Sequence, residues 1–446
     1  MFISQKTNLP FGLREEYKPE ATDALKRHKV TILLGLLLYA LTVVIRSWQH
    51  FATPGFYAED SVHYFNFFYG NLRQLSDIFQ HPNGYYNIYN NLVAFLVARA
   101  DILIQPLLYH IISASLCILT VAACTLSGLF RTRSILFISP FFLGLTGMNH
   151  VYYYISLTFQ MYNVVLLLLI LLFYDLKNWP RPLHFAWFLL ISFLIWSGPY
   201  SVLVVPFCLS YMVLFRGRDL LSVGLLAVTV AYTLAVSKST IMLGNLFDLS
   251  ILALWGKTLV TDVFFLGFKD SVNTEKLILI ASIFTILIAI FRKDRFYLKI
   301  SLLLLIIIVA SFAPLFLSKK YLLYQTIYPC HRLIAQFFWV IFILFSLDRL
   351  LLLLPRHQDI AGAGIVVLLA VFICVDNFSH SDKYAVPLLP STTQFLHRVK
   401  EVEQMDLLQK HQRAIISTAG TGIFKAAATI GDRSKNGKLV IREHFP

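Results

Sequence analysis

Charged side chains are scarce in this chain. They make up 14% of its 446 residues, whereas hydrophobic residues make up 57% and aromatic residues 15%. A soluble globular domain typically carries about 25% charged residues. The scarcity of charge therefore excludes a chain built of soluble domains and predicts an integral membrane protein.

Cysteine is scarce as well, with five residues in the chain. Cys117, Cys124, Cys208 and Cys374 fall inside predicted membrane spans, and Cys330 lies near the outer end of one. The CxxC spacing that zinc sites often use does not occur. The sequence therefore indicates neither a disulfide framework nor a zinc site.

Acidic residues are fewer than basic ones, 24 against 38, which leaves a formal net charge of +14. Such an excess can indicate nucleic-acid binding. The basic residues sit mostly in short turns between hydrophobic segments, however, and no basic and aromatic nucleic-acid motif accompanies them. A role in orienting the chain in the membrane explains the charge, so we expect no nucleic-acid partner.

Hydrophobic segments recur along almost the whole length and predict about eleven transmembrane helices. A helix that crosses a bilayer needs about 20 apolar residues, and several of these segments are shorter. The predicted fold class is an all-α polytopic membrane protein, in which the first span is a retained signal anchor. The predicted spans are 30–49, 105–130, 134–150, 159–174, 184–198, 200–215, 219–237, 277–291, 297–317, 331–348 and 360–376.

The basic turns alternate along the chain and predict its orientation. If segment 1–29 is cytoplasmic, every second turn should be rich in Lys and Arg. The pattern predicts a plasma (inner) membrane protein with a transmembrane region 30–380, long outer connections 50–104 and 238–276, and an extracytoplasmic tail 381–446 that can form a small strand-containing cap. The basic turns carry Arg131 and Arg133, Lys177 and Arg181, Arg216 and Arg218, Arg292 to Lys299, and Arg349 and Arg356.

The segment FYAED, residues 56–60, places Glu59 and Asp60 just past the first hydrophobic segment. Ionisable residues near a membrane are costly and often functional. The alternative is structural, because acidic residues also cap helices, here one predicted to start near Ser61. Apolar spacing over residues 61–79 predicts that this helix lies in the membrane interface, and a second interfacial helix is predicted from about Tyr85.

Tyrosines and asparagines are concentrated in the same loop. Tyrosine rings can stack on sugar faces and amides can donate to hydroxyl groups, so the loop predicts a cleft for a carbohydrate or a lipid headgroup. An anchoring belt at the membrane surface is the alternative for any single tyrosine. The candidate sugar-binding or acceptor-binding residues are Tyr64, Tyr85, Tyr86, Asn87 and Tyr89, with Asn149 and His150 at the outer end of the third span.

An acidic pair that opens a long outer loop after one span, with about ten spans to follow, resembles the GT-C superfamily of membrane glycosyltransferases. The stretch GYYNIYNNLVAFL, residues 84–96, resembles the same loop in a group of bacterial GT-C-like proteins. The resemblance implies a polyprenyl-phosphate-linked sugar as donor and a catalytic acid in the first loop. We expect no metal and no cofactor besides this lipid-phosphate sugar.

The implied reaction inverts the sugar, and it needs a base that takes the proton of the acceptor hydroxyl. Asp60 is the predicted base, with Glu59 as its orienting partner or as the alternate base. The leaving lipid phosphate needs cations and donors. Arg332 is the first choice for this role because its planar fork suits phosphate oxygens. The other candidate phosphate-binding residues are His331, Lys319 and Lys320, and the two lysines could instead snorkel to lipid headgroups.

The expected function is transfer of a sugar from a polyprenyl phosphate to a cell-envelope glycan or lipid at the outer face of the membrane. The expected partners are the lipid-linked sugar, a glycan or glycolipid acceptor and the bilayer. Two alternatives stay open: a polymerase or ligase of lipid-linked glycans, and a non-enzymatic transporter or flippase of lipid-linked saccharides. A transporter predicts charges in mid-span and internal repeats, and neither stands out in the sequence.

Overall fold

The structure is a computed structural model, and the residues that it describes are mainly helical, as the hydrophobic composition predicts. The described residues are 18–52, 54, 60, 64, 66–69, 74–80, 85–100, 104–145, 155–174, 176, 179–215, 220–236, 248–265, 294–316, 329–354, 357–384, 413–417, 427–431 and 440–443.

Helices follow one another through most of this part of the chain. Two 3-10 turns, Leu75–Phe79 and Pro199–Leu203, and one π-helical segment, Leu259–Phe264, accompany the α-helices. The α-helices are α1 (Lys18–Arg27), α2 (Lys29–Arg46), α3 (Trp48–Ala52), α4 (Asn66–Tyr69), α5 (Ile88–Val97), α6 (Gln105–Leu126), α7 (Arg133–Leu145), α8 (Gln160–Leu171), α9 (Arg181–Ile195), α10 (Val204–Phe215), α11 (Leu220–Val236), α12 (Leu249–Thr258), α13 (Arg295–Ala310), α14 (Ala313–Phe316), α15 (Pro329–Leu352) and α16 (Gln358–Tyr384).

Three of these helices are long and apolar enough to cross a membrane. They are α2, α6 and the segment His331–Leu352 of α15. Helix α9 and the segment Pro199–Phe215 would make a fourth span if they are counted together, but a bend of 120° separates them. The chain therefore has the helical character of a membrane protein.

The described helices do not support the predicted count of about eleven spans. Helices α7 and α8 have 13 and 12 residues, fewer than the roughly 20 that a straight crossing requires. Hydropathy counts apolar residues whether or not they belong to one helix. The predicted span 277–291 lies outside the described residues.

Glycines allow three of the helices to approach closely. A Cβ at Gly35 of α2 would lie 2.8 Å from the carbonyl oxygen of Phe137 in α7. A Cβ at Gly144 of α7 would lie 2.2 Å from the ring of Tyr39 in α2. On another side of α7, a Cβ at Gly362 of α16 would lie 2.2 Å from the hydroxyl of Ser134. Helix α7 is therefore packed tightly between α2 and α16, as small residues permit in membrane bundles.

The turns that precede α7 and α13 meet the end of α15. The buried carboxylate of Asp348 accepts hydrogen bonds from the backbone of Arg131 and Thr132 and from the Thr132 hydroxyl, at 2.6–3.2 Å. Arg349 forms a salt bridge with Asp294, the N-cap residue of α13. Turns that the sequence assigns to one side are thus joined at one end of the helical bundle.

The C-terminal tail contains a small antiparallel sheet in the order β1-β2-β3. Its strands are Arg413–Ser417 (β1), Ala427–Gly431 (β2) and Val440–Glu443 (β3). Arg413 pairs with Gly431, and Ala428 pairs with Glu443. These strands lie in the tail that the sequence predicts to form a small strand-containing cap.

Candidate functional site

Asp60 is held by the turn that leads into helix α8. Its carboxylate accepts hydrogen bonds from the Ser156 hydroxyl (3.0 Å), from the backbone N–H of Leu157 (3.1 Å) and from both the N–H and the hydroxyl of Thr158 (2.8 Å each). Leu157 and Thr158 precede Phe159, the N-cap residue of α8. Asp60 therefore holds the turn before this helix from 96–98 residues away.

The electrostatic setting of Asp60 favours its neutral form. The side chain is fully buried, and this burial raises the pKa of Asp60 to about 7. The hydrogen bonds from Thr158, Ser156 and Leu157 lower the pKa and so oppose part of this shift. A carboxyl group with a pKa near 7 can take up or release a proton near neutral pH, which suits a general base.

A structural role for Asp60 has a close parallel at the opposite end of the bundle. Asp348 binds the turn before α7 through the N–H and the hydroxyl of Thr132, as Asp60 binds Thr158 before α8. The predicted structural alternative was a cap on a helix starting near Ser61. The hydrogen bonds described for Asp60 all come from residues 156–158 instead, so Asp60 binds the turn before α8.

His331 lies at the start of α15 between two tyrosine hydroxyls. Its Nδ1 is 3.0 Å from the Tyr162 hydroxyl and 2.5 Å from the Tyr200 hydroxyl. The ring centroid of His331 is 6.1 Å from that of Tyr162 and 6.2 Å from that of Tyr200. The imidazole is thus fixed by helix α8 and by the 3-10 turn Pro199–Leu203.

Arg332 forms a salt bridge with Asp262 of the π-helical segment. Arg332 Nη1 lies 2.9 Å from Asp262 Oδ1, and the two side chains are 26% and 12% exposed. The guanidinium is therefore near a surface and already bound to a carboxylate. It has the chemistry of an anion-binding group.

One short segment links the surroundings of Asp60 to those of Arg332. Thr158 binds Asp60, and Tyr162 binds the histidine that precedes Arg332. Thr158 lies in the turn before α8, and Tyr162 lies in the first turn of that helix. The predicted base and the predicted phosphate-binding residues are therefore connected through the segment that starts α8.

The predicted sugar-binding residues Tyr64 and Asn87 are buried and bound to each other. The Tyr64 hydroxyl accepts hydrogen bonds from the Nδ2 atoms of Asn87 and Asn90, each at 3.1 Å. Asn90 Nδ2 also donates to the carbonyl of Leu157 at 2.7 Å. The Oδ1 atoms of Asn87 and Asn90 are buried without a protein partner among the described residues. These two oxygens can accept hydrogen bonds from hydroxyl groups.

The other predicted tyrosines contact Met161 of α8 and the residues that follow α9. The Tyr85 hydroxyl donates to Met161 Sδ at 3.3 Å. The Tyr86 ring lies 5.1 Å from that of Trp196, and the backbone N–H of Tyr89 donates to the Ser197 hydroxyl at 3.1 Å. Several of the aromatic residues in this loop are thus packed against the rest of the bundle.

Some predicted site residues cannot be located. The predicted catalytic partner Glu59, the predicted acceptor residues Asn149 and His150, and the predicted phosphate-binding lysines Lys319 and Lys320 lie outside the described residues. Among the residues that are described, no group of three His, Cys, Asp or Glu side chains could hold a metal ion.

The sequence did not single out several residues that hold the site together. Ser156 and Thr158 stand just before an apolar helical run, a pattern typical of helix N-termini, and this pattern could have identified them as capping residues. Tyr162, Tyr200 and Asp262 have no comparable local pattern. Their roles arise from contacts between segments far apart in the chain.

Comparison of the chain with protein families, with curated proteins and with solved structures finds no match.

Proposed function

We propose that this protein is a GT-C-like glycosyltransferase of the plasma (inner) membrane, with a cytoplasmic N-terminus and an extracytoplasmic active site. It would move a sugar from a polyprenyl phosphate to a hydroxyl group of a cell-envelope glycan or lipid. Asp60 carries the proposal. Its carboxyl group has a pKa of about 7 and is bound to the turn before α8, the helix that carries Tyr162, the partner of His331.

Asp60 would act as the base in this reaction. The acceptor oxygen attacks the anomeric carbon, and its proton passes to the Asp60 carboxylate as the bond from that carbon to the phosphate oxygen breaks. All four described hydrogen bonds to Asp60 come from residues 156–158. An acceptor hydroxyl would replace the Ser156 hydroxyl, which makes the longer of the two side-chain contacts.

The leaving phosphate would be stabilised by Arg332, with His331 beside it. The electron pair of the broken bond stays on the phosphate oxygen, and a guanidinium stabilises such an anion through paired hydrogen bonds. Tyr162 and Tyr200 orient the imidazole of His331.

The test is a transfer assay with the purified protein, radiolabelled polyprenyl-phosphate sugars and envelope lipids. We expect Asp60→Asn to lower the transfer rate about a hundredfold or more, because the amide cannot take the proton. Asp77→Asn is the matched control, since the Asp77 carboxylate binds Gln74 and Gln80 within the same loop. Glu59→Gln tests the alternate base.

Loss of activity counts as loss of the base only if the protein remains folded. Asp60→Asn must therefore bind the donor lipid with native affinity and must retain a cooperative thermal transition. Undiminished transfer in both Asp60→Asn and Glu59→Gln would contradict the proposal.

A further inference from the structure

The salt bridge between Arg332 and Asp262 joins two segments that lie far apart in the chain. The Arg332 side chain is 26% exposed and the Asp262 side chain 12% exposed, so solvent reaches both. A phosphate group at the membrane surface could therefore reach the guanidinium. To bind Nη1, it would compete with the Asp262 carboxylate that is already bound to this atom.

The segment that carries Asp262 is docked on α15 independently of this ion pair. Gln336 Nε2 donates to the carbonyl oxygen of Asp262 at 2.7 Å, and Trp339 Nε1 donates to that of Phe264 at 3.2 Å. Arg332, Gln336 and Trp339 follow one another at helical spacing and so share one face of α15. The Asp262 side chain can leave Arg332 while both backbone contacts remain.

The backbone around Asp262 has an unusual conformation. Residues Leu259–Phe264 form a π-helical turn that continues α12 without a break. Such turns are rare and frequently mark functional sites. Here the turn carries a carboxylate to the arginine that the proposed reaction needs for its leaving group.

We propose that Asp262 is a built-in competitor for the lipid phosphate at Arg332. Its carboxylate binds the guanidinium when no donor is present and is displaced by the phosphate of the polyprenyl carrier. After transfer it returns to Arg332 and helps to release the lipid phosphate. This inference rests on the proposed function, because it takes the lipid-phosphate carrier of that reaction as the ligand.

Binding of farnesyl monophosphate to the purified protein in detergent tests the proposal. We expect Asp262→Asn to bind this lipid phosphate about fivefold more tightly than the native chain, the scale of a partly exposed ion pair. Asp262→Glu keeps the competing charge and should stay within about twofold of native affinity. Arg332→Gln should lose most of the binding.

Matched controls separate this effect from general changes in charge. Asp248→Asn removes a carboxylate that caps the preceding helix α12, where asparagine caps equally well, so it should leave the affinity unchanged. Farnesol, which has no phosphate, should bind all variants alike. Equal or weaker binding of farnesyl monophosphate to a folded Asp262→Asn protein would show that Asp262 merely positions Arg332, and would overturn the proposal.

A measurement on the native chain does not depend on the folding of any variant. Carbodiimide labels accessible carboxyl groups, and mass spectrometry can quantify the label on Asp262. We expect farnesyl monophosphate to increase this label and farnesol to leave it unchanged. A label that stays constant while farnesyl monophosphate binds would contradict displacement of the carboxylate.

The outcomes also distinguish this inference from the proposed function. Tighter binding by Asp262→Asn without sugar transfer by any protein would support the competitor and contradict the glycosyltransferase. Sugar transfer that depends on Asp60, together with unchanged binding by Asp262→Asn, would support the glycosyltransferase and contradict the competitor.

Discussion

At the scale of single residues, the main features of this protein are carboxylates that are buried but bound. Asp60 and Asp348 each accept four described hydrogen bonds, which include both the N–H and the hydroxyl of one threonine. A buried carboxylate without such donors would cost several kcal/mol. The bonds make burial tolerable, and at Asp60 burial still raises the pKa to about 7.

The raised pKa predicts how stability depends on pH. In the unfolded chain an aspartate ionises near pH 4, whereas folded Asp60 stays protonated up to about pH 7. Between these values the folded state binds more protons, so the free energy of unfolding should fall as the pH rises and should level off above about pH 7. Asp60→Asn should lack this slope.

The measurement is the thermal unfolding midpoint in detergent at pH 5, 6, 7 and 8. The native chain should lose stability relative to Asp60→Asn across this range, and Asp77→Asn should follow the native chain. A constant difference between native and Asp60→Asn from pH 5 to pH 8 would rule out the raised pKa. If Asp60 is the base, transfer should also rise about tenfold per pH unit up to about pH 7.

At the scale of elements, close packing of helices depends on glycine at a few positions. Gly35 and Gly144 allow α2 and α7 to approach until a Cβ would overlap backbone or ring atoms. Lipid tails are as apolar as leucine, so such contacts, rather than burial from water, stabilise helix pairs within a membrane. Helix α7 is the element that depends on them most, since α16 also packs on it through Gly362.

Alanine at Gly144 should therefore destabilise the protein. The added methyl group would overlap the ring of buried Tyr39, and overpacking of this kind costs about 1–3 kcal/mol. Gly364→Ala is the matched control, because a Cβ at this helical position meets nothing within 4 Å. It should be neutral or slightly stabilising. Thermal unfolding of both variants gives the comparison, and equal midpoints would refute the packing argument.

At the scale of the whole molecule, the described turns gather at two ends of the bundle. Asp348, Arg349 and Asp294 meet at one end. At the other end, Asp60 binds the turn before α8. His331 contacts Tyr162 of the same helix, and the next residue, Arg332, binds Asp262. The basic turns at Arg131 and Arg349 therefore lie apart from the predicted site residues. An experiment can test which of the two ends faces the cytoplasm.

Cysteine labelling from one side of the membrane tests the predicted orientation. In a background with Cys330 and Cys374 changed to serine, Ser76→Cys should react with a membrane-impermeant maleimide in intact cells. Arg295→Cys should react only after permeabilisation, because basic turns face the cytoplasm. Both positions are exposed in the fold. The opposite labelling pattern would reverse the orientation and move Asp60 to the cytoplasmic face.

The sequence drew attention to several residues of the candidate site but could not predict the contacts between them. Asp60 stood out because a carboxylate next to an apolar segment is conspicuous, and Arg332 because it starts a long apolar helix. The described helices support three spans, or four with the bent pair, and do not support the predicted eleven, because composition does not report how many apolar residues of a run belong to one helix. The amide of Asn87 was predicted to bind a sugar or an acceptor, yet its nitrogen donates to the Tyr64 hydroxyl.

The sequence by itself determined the membrane character, the helical class and the alternation of charged turns, because these depend on composition and short-range spacing. Only the tertiary structure decided that Asp60 binds the turn before α8, that His331 lies between two tyrosines and that Asp262 binds Arg332. The partners of Asp60 lie 96–98 residues away from it. Such pairings come from packing of the whole bundle, and no local pattern encodes them.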